Sequence, residues 1–307
     1  MRIAVIGAGG IGGIYGAALA RAGVEVTFVA RGAHLAAIRE NGLRIQGDRG
    51  ETHIQPAHAT SDIASIGAVD YVLVCVKLWD VERTGEQIRP IVGPATAVIP
   101  LQNGVDAADR LIPILGREAV MGGSAFVTGS IVAPGVIYQT GIYHQMTFGE
   151  LDGSISARGE RLRDLCAASG LEGVLSPDIR VPLWEKFILL VPLSGINALT
   201  RVPLGKYRDD PDLFALLEAS LRETVAVGMA EGVRLAPNAV DKSLTTIRAM
   251  PPYHMTSMCN DLLRGNRLEL PWFAGKVVGL GRLHGIPTPV NGFIYAALKL
   301  YVDGPPV

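Results

Sequence analysis

The sequence predicts two domains of different class: a parallel α/β domain over residues 1–178, followed by an all-helical domain over residues 179–307. Three observations predict it. The chain opens on a β-branched strand, a glycine cluster and a helix of small residues, which is the start of a βαβ unit. Further strand-like runs alternate with helical segments to about residue 104, which implies a mostly parallel sheet with helices on both faces. Beyond Pro182 the strand pattern stops and the periodicity is helical.

The elements follow in order. Arg2–Ile6 is a short apolar strand that ends at glycine. Gly7-Ala8-Gly9-Gly10-Ile11-Gly12 opens a helix that runs to Arg21 and is stopped by Gly23, and residues 24–29 form the second strand. Residues 71–76 form another strand, ending at Lys77. Residues 95–101 form the next, ending in Gln102-Asn103-Gly104. Between residues 120 and 149, Ser124-Ala125-Phe126-Val127-Thr128 and Gly135-Val136-Ile137-Tyr138 read as antiparallel strands that extend the sheet. A helix over 156–168 closes the domain, and 177–182 is the boundary.

The most apolar run, residues 187–199, contains Pro192, Ser194, Gly195 and Asn197, and reads as a buried helix with a break. Asp209-Asp210-Pro211 starts a long amphipathic helix that reaches about Glu231. Residues 237–250 and 271–284 are further helices, and Thr288-Pro289 begins a last one that runs to about Tyr301.

Composition excludes several classes. With 28 basic and 29 acidic residues and no block of like charge, general nucleic-acid binding and a charged tail are not expected. No stretch of about 18 uncharged apolar residues occurs, so no membrane-spanning helix is expected. The N-terminus lacks the apolar core of a signal peptide. Cys75, Cys166 and Cys259 are odd in number and far apart, which fits reduced thiols in a cytoplasmic protein. The six histidines, His144 and His254 among them, show no ligand spacing, so no metal is expected.

The glycine pattern carries the chemistry. It follows a strand, opens a helix and sits in a βαβ unit, which is the context of a Rossmann-type dinucleotide-binding domain. Gly7 permits the tight turn, Gly9 lets the backbone approach a pyrophosphate, and Gly12 lets helix and strand pack closely. Gly10 and Ile11 complete the turn at the helix N-terminus, where the phosphates rest. A turn made only for close packing is the plainer alternative.

A site for NAD carries an acidic residue at the end of the second strand, where this chain has Val29-Ala30-Arg31-Gly32. Glu25 lies at the other end of that strand. Arg31 suits a 2′-phosphate and so favours NADPH; the alternative is a surface arginine capping the next helix. Lys77 and Asn103 both sit at the carboxyl edge of the sheet, where such folds bind ligands. A solvated lysine and an ordinary turn are their alternatives.

These residues, with further motifs in the second half, resemble the ketopantoate reductase (2-dehydropantoate 2-reductase) family. The further motifs are Leu183-Trp184-Glu185-Lys186-Phe187, Asn197-Ala198-Leu199-Thr200, Thr256-Ser257-Met258 with Asp261, the segment from Arg264 to Glu269, and Gly285-Ile286-Pro287-Thr288-Pro289-Val290-Asn291. They keep the family's order along almost the whole chain. The resemblance implies a Rossmann domain followed by a helical one. It also implies reduction of ketopantoate to pantoate by NADPH, in pantothenate biosynthesis.

By the same resemblance Lys186 is the general acid. Glu269 hydrogen-bonds the substrate hydroxyl or orients Lys186, and also counts among the residues near the cofactor. Ser257 donates to the substrate carboxylate, and Asn197 contacts substrate. The plainer alternatives are an exposed lysine at a helix start, a capping or surface glutamate, a helix-cap serine and a polar break in an apolar helix. Trp184 and Trp272 read as packing residues, although Trp272 follows Glu269 closely enough to line the cleft.

The chain departs from the family at Leu190 and Ser194, where asparagines usually stand one and two turns after the lysine. It departs again at Pro271 and Ala274, where an aspartate and an asparagine are common. A paralogous reductase for a more apolar small oxo acid is therefore an alternative to the ketopantoate enzyme. A non-catalytic NADP-binding sensor is a third reading, disfavoured by the presence of both Lys186 and Glu269. The expected partner is a small 2-keto acid. The helix over 210–231 and the apolar C-terminal half are compatible with a homodimer.

Overall fold

A computed structural model describes residues 1–306, and the chain divides between residues 180 and 181 into two units. Chain order in the first unit is β1 (Arg2–Ile6), α1 (Gly10–Arg21), β2 (Glu25–Val29), α2 (Gly32–Asn41), β3 (Leu43–Gly47), β4 (Thr52–Ile54), β5 (His58–Thr60), β6 (Tyr71–Val74), α3 (Val81–Ile88), β7 (Ala97–Pro100), α4 (Ala107–Leu115), β8 (Gly122–Ala133), β9 (Val136–Gly149), α5 (Ala157–Ala168) and β10 (Glu172–Leu175).

The first sheet has the order β5-β2-β1-β6-β7, and every pairing in it is parallel. Its strands β6 and β7 are buried along their whole length, as strands covered on both faces must be. Alternate side chains enter two cores. Val5, Leu73 and Ile99 pack with Ile14 and Tyr15 of α1 and Leu35 and Ile38 of α2. Val72, Val74 and Val98 pack with Val81 and Ile88 of α3 and Leu111 of α4.

The antiparallel strands do not extend this sheet, contrary to expectation. β8 and β9 form a hairpin that belongs to a second sheet, of order β10-β9-β3-β4 with β8 on β9. The first part of β9 pairs with β3 and its last part pairs with β10, both in parallel. The reason lies in α1, which is apolar on opposite sides. One side lies on the first sheet. On the other, Gly13 admits Ile137 of β9 so closely that a Cβ would come within 2.1 Å of its Cδ1. Tyr15, at the same level, donates its hydroxyl to the Gln145 carbonyl of β9 at 2.6 Å. A helix that must bury two faces needs two sheets.

The second unit contains α6 (Arg180–Thr200, entered from the first unit), α7 (Leu204–Arg208), α8 (Pro211–Ala230), α9 (Ala239–Ala249), α10 (Ser257–Leu263), α11 (Ala274–His284) and α12 (Pro289–Leu298). Its described residues form no strand. The start of α8 is built as the sequence implies: the Asp210 carboxylate accepts from Asp212 N–H at 3.1 Å and Leu213 N–H at 2.9 Å, with Pro211 in the first turn.

The expected break in α6 does not occur, and the helix runs through Pro192. An interior proline costs roughly 3 kcal/mol. Here it sits among Ile188, Val191, Leu193 and Ile196, all buried. Each such side chain contributes about 1.5–3 kcal/mol on burial, so packing outweighs the lost backbone bond. No helix among the described residues is long and apolar enough to cross a membrane.

Candidate active site

The turn after β1 is held by its own backbone. Gly7 has φ +98°, a conformation that favours glycine, and the N–H groups of Gly7 and Ala8 both donate to the Val29 carbonyl at the end of β2, at 3.1 and 3.0 Å. Gly9 caps α1 with no side-chain partner, and a Cβ at Gly9 would meet nothing within 4 Å. Gly12 is the opposite case: a Cβ there would lie 2.2 Å from the Gly7 carbonyl oxygen and 2.8 Å from Val5 Cγ1. Gly10 and Ile11 start α1. The turn therefore presents the open N-terminus of a tightly seated helix, and this cradle fits a dinucleotide pyrophosphate. Cys75 lies against the turn, but burial pushes its thiol up to about 12, which leaves it no nucleophilic role.

The remaining candidates of this unit ring the carboxyl edge of the first sheet. Arg31 follows β2 and is exposed, and its side chain makes no hydrogen bond or ion pair among the described residues. Glu25, at the far end of the same strand, is tied to Arg2 at 3.1 Å. Lys77 is exposed beyond β6, with its ammonium 5.6 Å from the Trp79 ring centre. Asn103 is half-buried beyond β7. Gln102, which the sequence reading passed over, sets that loop: its Nε2 donates to the Val74 and Val76 carbonyls at 2.8 and 3.1 Å, and so ties the end of β7 to the chain leaving β6. His34 was also passed over. It stands in the first turn of α2, three residues after Arg31, and that spacing was its only signal.

In the second unit, Lys186 lies on α6 between Trp184 and Phe187. These two are buried, with their rings edge-to-face at 5.4 Å, and Trp184 packs on Gly228 of α8. Glu185 turns the other way, to Lys242 at 3.0 Å. Lys186 is thus left on a different face from the packing residues, and is half-buried. Burial lowers its ammonium to about 8 from the usual 10.5, while the carboxylate of Glu269 opposes the shift. Glu269 is 5% exposed, just before the turn Leu270–Trp272. The fold thus brings Lys186 and Glu269 within electrostatic reach of each other across 83 residues of sequence.

Leu190, one turn after Lys186, is half-buried. Ser194, two turns after it, is fully buried, and its hydroxyl has no partner among the described residues. Pro271 is half-buried and Ala274 buried. Ser257 is exposed at the first position of α10, and the helix cap is its neighbour Thr256, whose hydroxyl accepts from Cys259 N–H at 3.3 Å. Trp184 is a packing residue as expected, while Trp272 is half-buried.

Asn197 is held inside the helical unit. It is 0% exposed and its carboxamide is fully engaged. Oδ1 accepts from Thr256 N–H at 2.8 Å and from the Thr256 hydroxyl at 3.0 Å; Nδ2 donates to the Val202 carbonyl at 2.7 Å and to Met255 Sδ at 3.5 Å. Asn197 therefore fixes the loop that carries Ser257. Asn197→Ala takes the acceptor from the Thr256 N–H and O–H and the donor from the Val202 carbonyl. It should lower unfolding free energy by about 2–4 kcal/mol in a denaturant titration, well beyond a surface substitution.

Comparison with known proteins accounts for both units. Residues 3–153 match the family described as "Ketopantoate reductase PanE/ApbA", and residues 178–302 match its "Ketopantoate reductase PanE/ApbA C terminal" counterpart. The chain belongs to the ketopantoate reductase family. It is similar to a 2-dehydropantoate 2-reductase of Mesorhizobium japonicum, at 32% identity over 97% of each chain. It is also similar to a PanE/ApbA family ketopantoate reductase of Ralstonia eutropha, with TM-score 0.90 and 31% identity over 98% of each chain. A D-mandelate dehydrogenase, solved with NADH and anilino(oxo)acetate, shares the fold at TM-score 0.90 and 21% identity over 98% of each chain. As a member of the ketopantoate reductase family the chain is an oxidoreductase of 2-keto acids that uses a nicotinamide dinucleotide.

Proposed function

We propose that this enzyme reduces ketopantoate to pantoate with NADPH, in pantothenate biosynthesis in the cytoplasm. The observation that carries the reading is Lys186: a half-buried ammonium brought to about 8 beside a buried carboxylate, in a chain of this family. NADPH, when bound, supplies the hydride. The residues that would hold it are the Gly7, Gly9, Gly10, Ile11 and Gly12 turn for the pyrophosphate, Arg31 for the 2′-phosphate, and Lys77 and Asn103 at the sheet edge.

The helical unit supplies the acid. A lysine at about 8 is still mostly protonated at pH 7 and is a stronger acid than an ordinary lysine, so Lys186 can give its proton to the carbonyl oxygen as that oxygen becomes an alkoxide. Its charge stabilises the same oxygen before the transfer. Glu269 keeps Lys186 protonated and accepts a hydrogen bond from the hydroxyl that forms. Ser257 donates to the substrate carboxylate.

The choice between NADPH and NADH rests on Arg31 and on the engagement of Glu25 with Arg2. Arg31→Ala should weaken NADPH about 10- to 100-fold, the value of a charge-assisted phosphate contact, and leave NADH within about threefold. Equal loss for both cofactors in a binding titration would remove Arg31 from the 2′-phosphate.

A second reading has one observation in its favour. Leu190 stands one turn from Lys186 and is half-buried, so an apolar group lies where a polar contact would favour a hydroxylated substrate. That supports a more apolar 2-keto acid. Steady-state NADPH oxidation over a panel of 2-keto acids decides between the two. Turnover of ketopantoate well above the rest supports the first reading, and a preference for alkyl or aryl keto acids supports the second. Tight NADPH binding without turnover of any keto acid would make the chain a sensor and end both.

A further inference from the structure

We propose that His34 is the positioning residue for the pyrophosphate turn, an inference that rests on reading that turn as the phosphate seat of NADPH. His34 lies half-buried on α2 and bonds on both sides of its ring. Gly135 N–H, in the turn between β8 and β9, reaches His34 Nδ1 at 3.0 Å, and His34 Nε2 lies 2.8 Å from the Ala8 carbonyl oxygen. A backbone N–H can only donate, so Nδ1 accepts. The ring is then neutral with its proton on Nε2, and that proton goes to Ala8. The hairpin thus selects the tautomer that can hold the glycine turn.

The Ala8 carbonyl is an effective place to hold that turn. The Ala8–Gly9 peptide is trans, so its C=O and the Gly9 N–H point in opposite directions across one rigid plane. Holding the carbonyl toward α2 aims the Gly9 N–H away from α2, and a Cβ at Gly9 would meet nothing within 4 Å. Ala8 is fixed at its other end too, where its own N–H donates to Val29. Ala8, which leads into the peptide that must face a pyrophosphate, is therefore held at both its N–H and its C=O before any ligand arrives, which reduces the ordering cost of binding.

His34 is itself well supported. Gly135 is fixed because its carbonyl accepts from Arg44 N–H at 2.9 Å, and a Cβ on Gly135 would lie 3.1 Å from Ala37 Cβ of α2. The same hairpin touches the turn directly as well. A Cβ on Gly10 would come within 2.0 Å of the Gly129 carbonyl oxygen of β8. The second sheet thus sets the nucleotide turn at two points, one of them through His34.

The test uses the full-length protein and two probes in binding titrations. One is 2′-phospho-ADP-ribose, which carries the pyrophosphate; the other is 2′-AMP, which does not. His34→Phe keeps the ring volume and loses both hydrogen bonds. It should weaken 2′-phospho-ADP-ribose by about tenfold or more and leave 2′-AMP within about twofold. His34→Gln offers one donor and one acceptor in similar positions and should recover the pyrophosphate probe to within about threefold. If His34→Phe does not fold, as judged by its thermal transition, His34→Asn replaces it, because its shorter carboxamide cannot span both partners. Unchanged affinity for 2′-phospho-ADP-ribose, or equal loss for both probes, overturns the proposal. Failure of the unsubstituted protein to bind 2′-phospho-ADP-ribose overturns the cofactor reading itself, and the proposal with it.

Discussion

Lys186→Ala should lower kcat for keto acid reduction by about 100-fold or more and leave the NADPH dissociation constant within about twofold. The expected split follows from the role: a general acid acts on the developing alkoxide and not on the nucleotide. Lys186→Arg should not rescue the rate. A guanidinium keeps the charge but gives up its proton only above pH 12.

The pH profile carries the stronger test. The reductive step needs the protonated lysine, and burial has brought that group to about 8. The value of kcat/KM should therefore be level below that pH and fall about tenfold per unit above it. Glu269 holds the proton on, so Glu269→Gln should move this limb to lower pH. A limb that stays in place in Glu269→Gln, or a Lys186→Ala rate equal to that of the unsubstituted protein, would remove Lys186 from the role of acid.

The sequence showed Lys186 through a resemblance, but not the property that makes it useful. Its lowered pKa comes from burial and is limited by a carboxylate 83 positions away, and no local pattern records either. Asn197 is a related case. A polar residue in an apolar run looks like a site residue until its four hydrogen-bond partners are known, and those come from residues 202, 255 and 256.

The parallel sheet was legible because its buried strands are apolar runs ending at glycine or at polar edge residues. The second sheet was not. β3, β4 and β10 are only partly buried, and the parallel pairing of β9 with β3 joins segments about 90 residues apart. Gln102 and His34 were missed because each acts on backbone atoms of a distant segment. That role depends on contacts across 26 to 101 positions, which local spacing does not record.

Gly12 and Gly9 should separate the two jobs of the glycine turn. At Gly12 the added methyl of alanine meets the Gly7 carbonyl at 2.2 Å, Val5 Cγ1 at 2.8 Å and Cys75 Cβ at 3.0 Å. The first of these is backbone, and Val5 is fully buried, so α1 must move away from the first sheet. It has nowhere to go. On its other side, Gly13 already holds Ile137 of the second sheet as closely as a residue without a Cβ allows. Gly12→Ala should therefore cost about 1–3 kcal/mol of stability from overpacking and also weaken NADPH more than about tenfold, because the turn shifts with the helix. Gly9→Ala meets nothing within 4 Å and adopts φ −83°, which any residue tolerates. Its thermal midpoint should be that of the unsubstituted protein, while NADPH binding falls by a similar factor, since the methyl occupies the space that the pyrophosphate must enter. If Gly9→Ala binds NADPH as tightly as the unsubstituted protein, the pyrophosphate does not approach the backbone at this residue. The Gly9 amide aimed through Ala8 and His34 would then have no phosphate to meet.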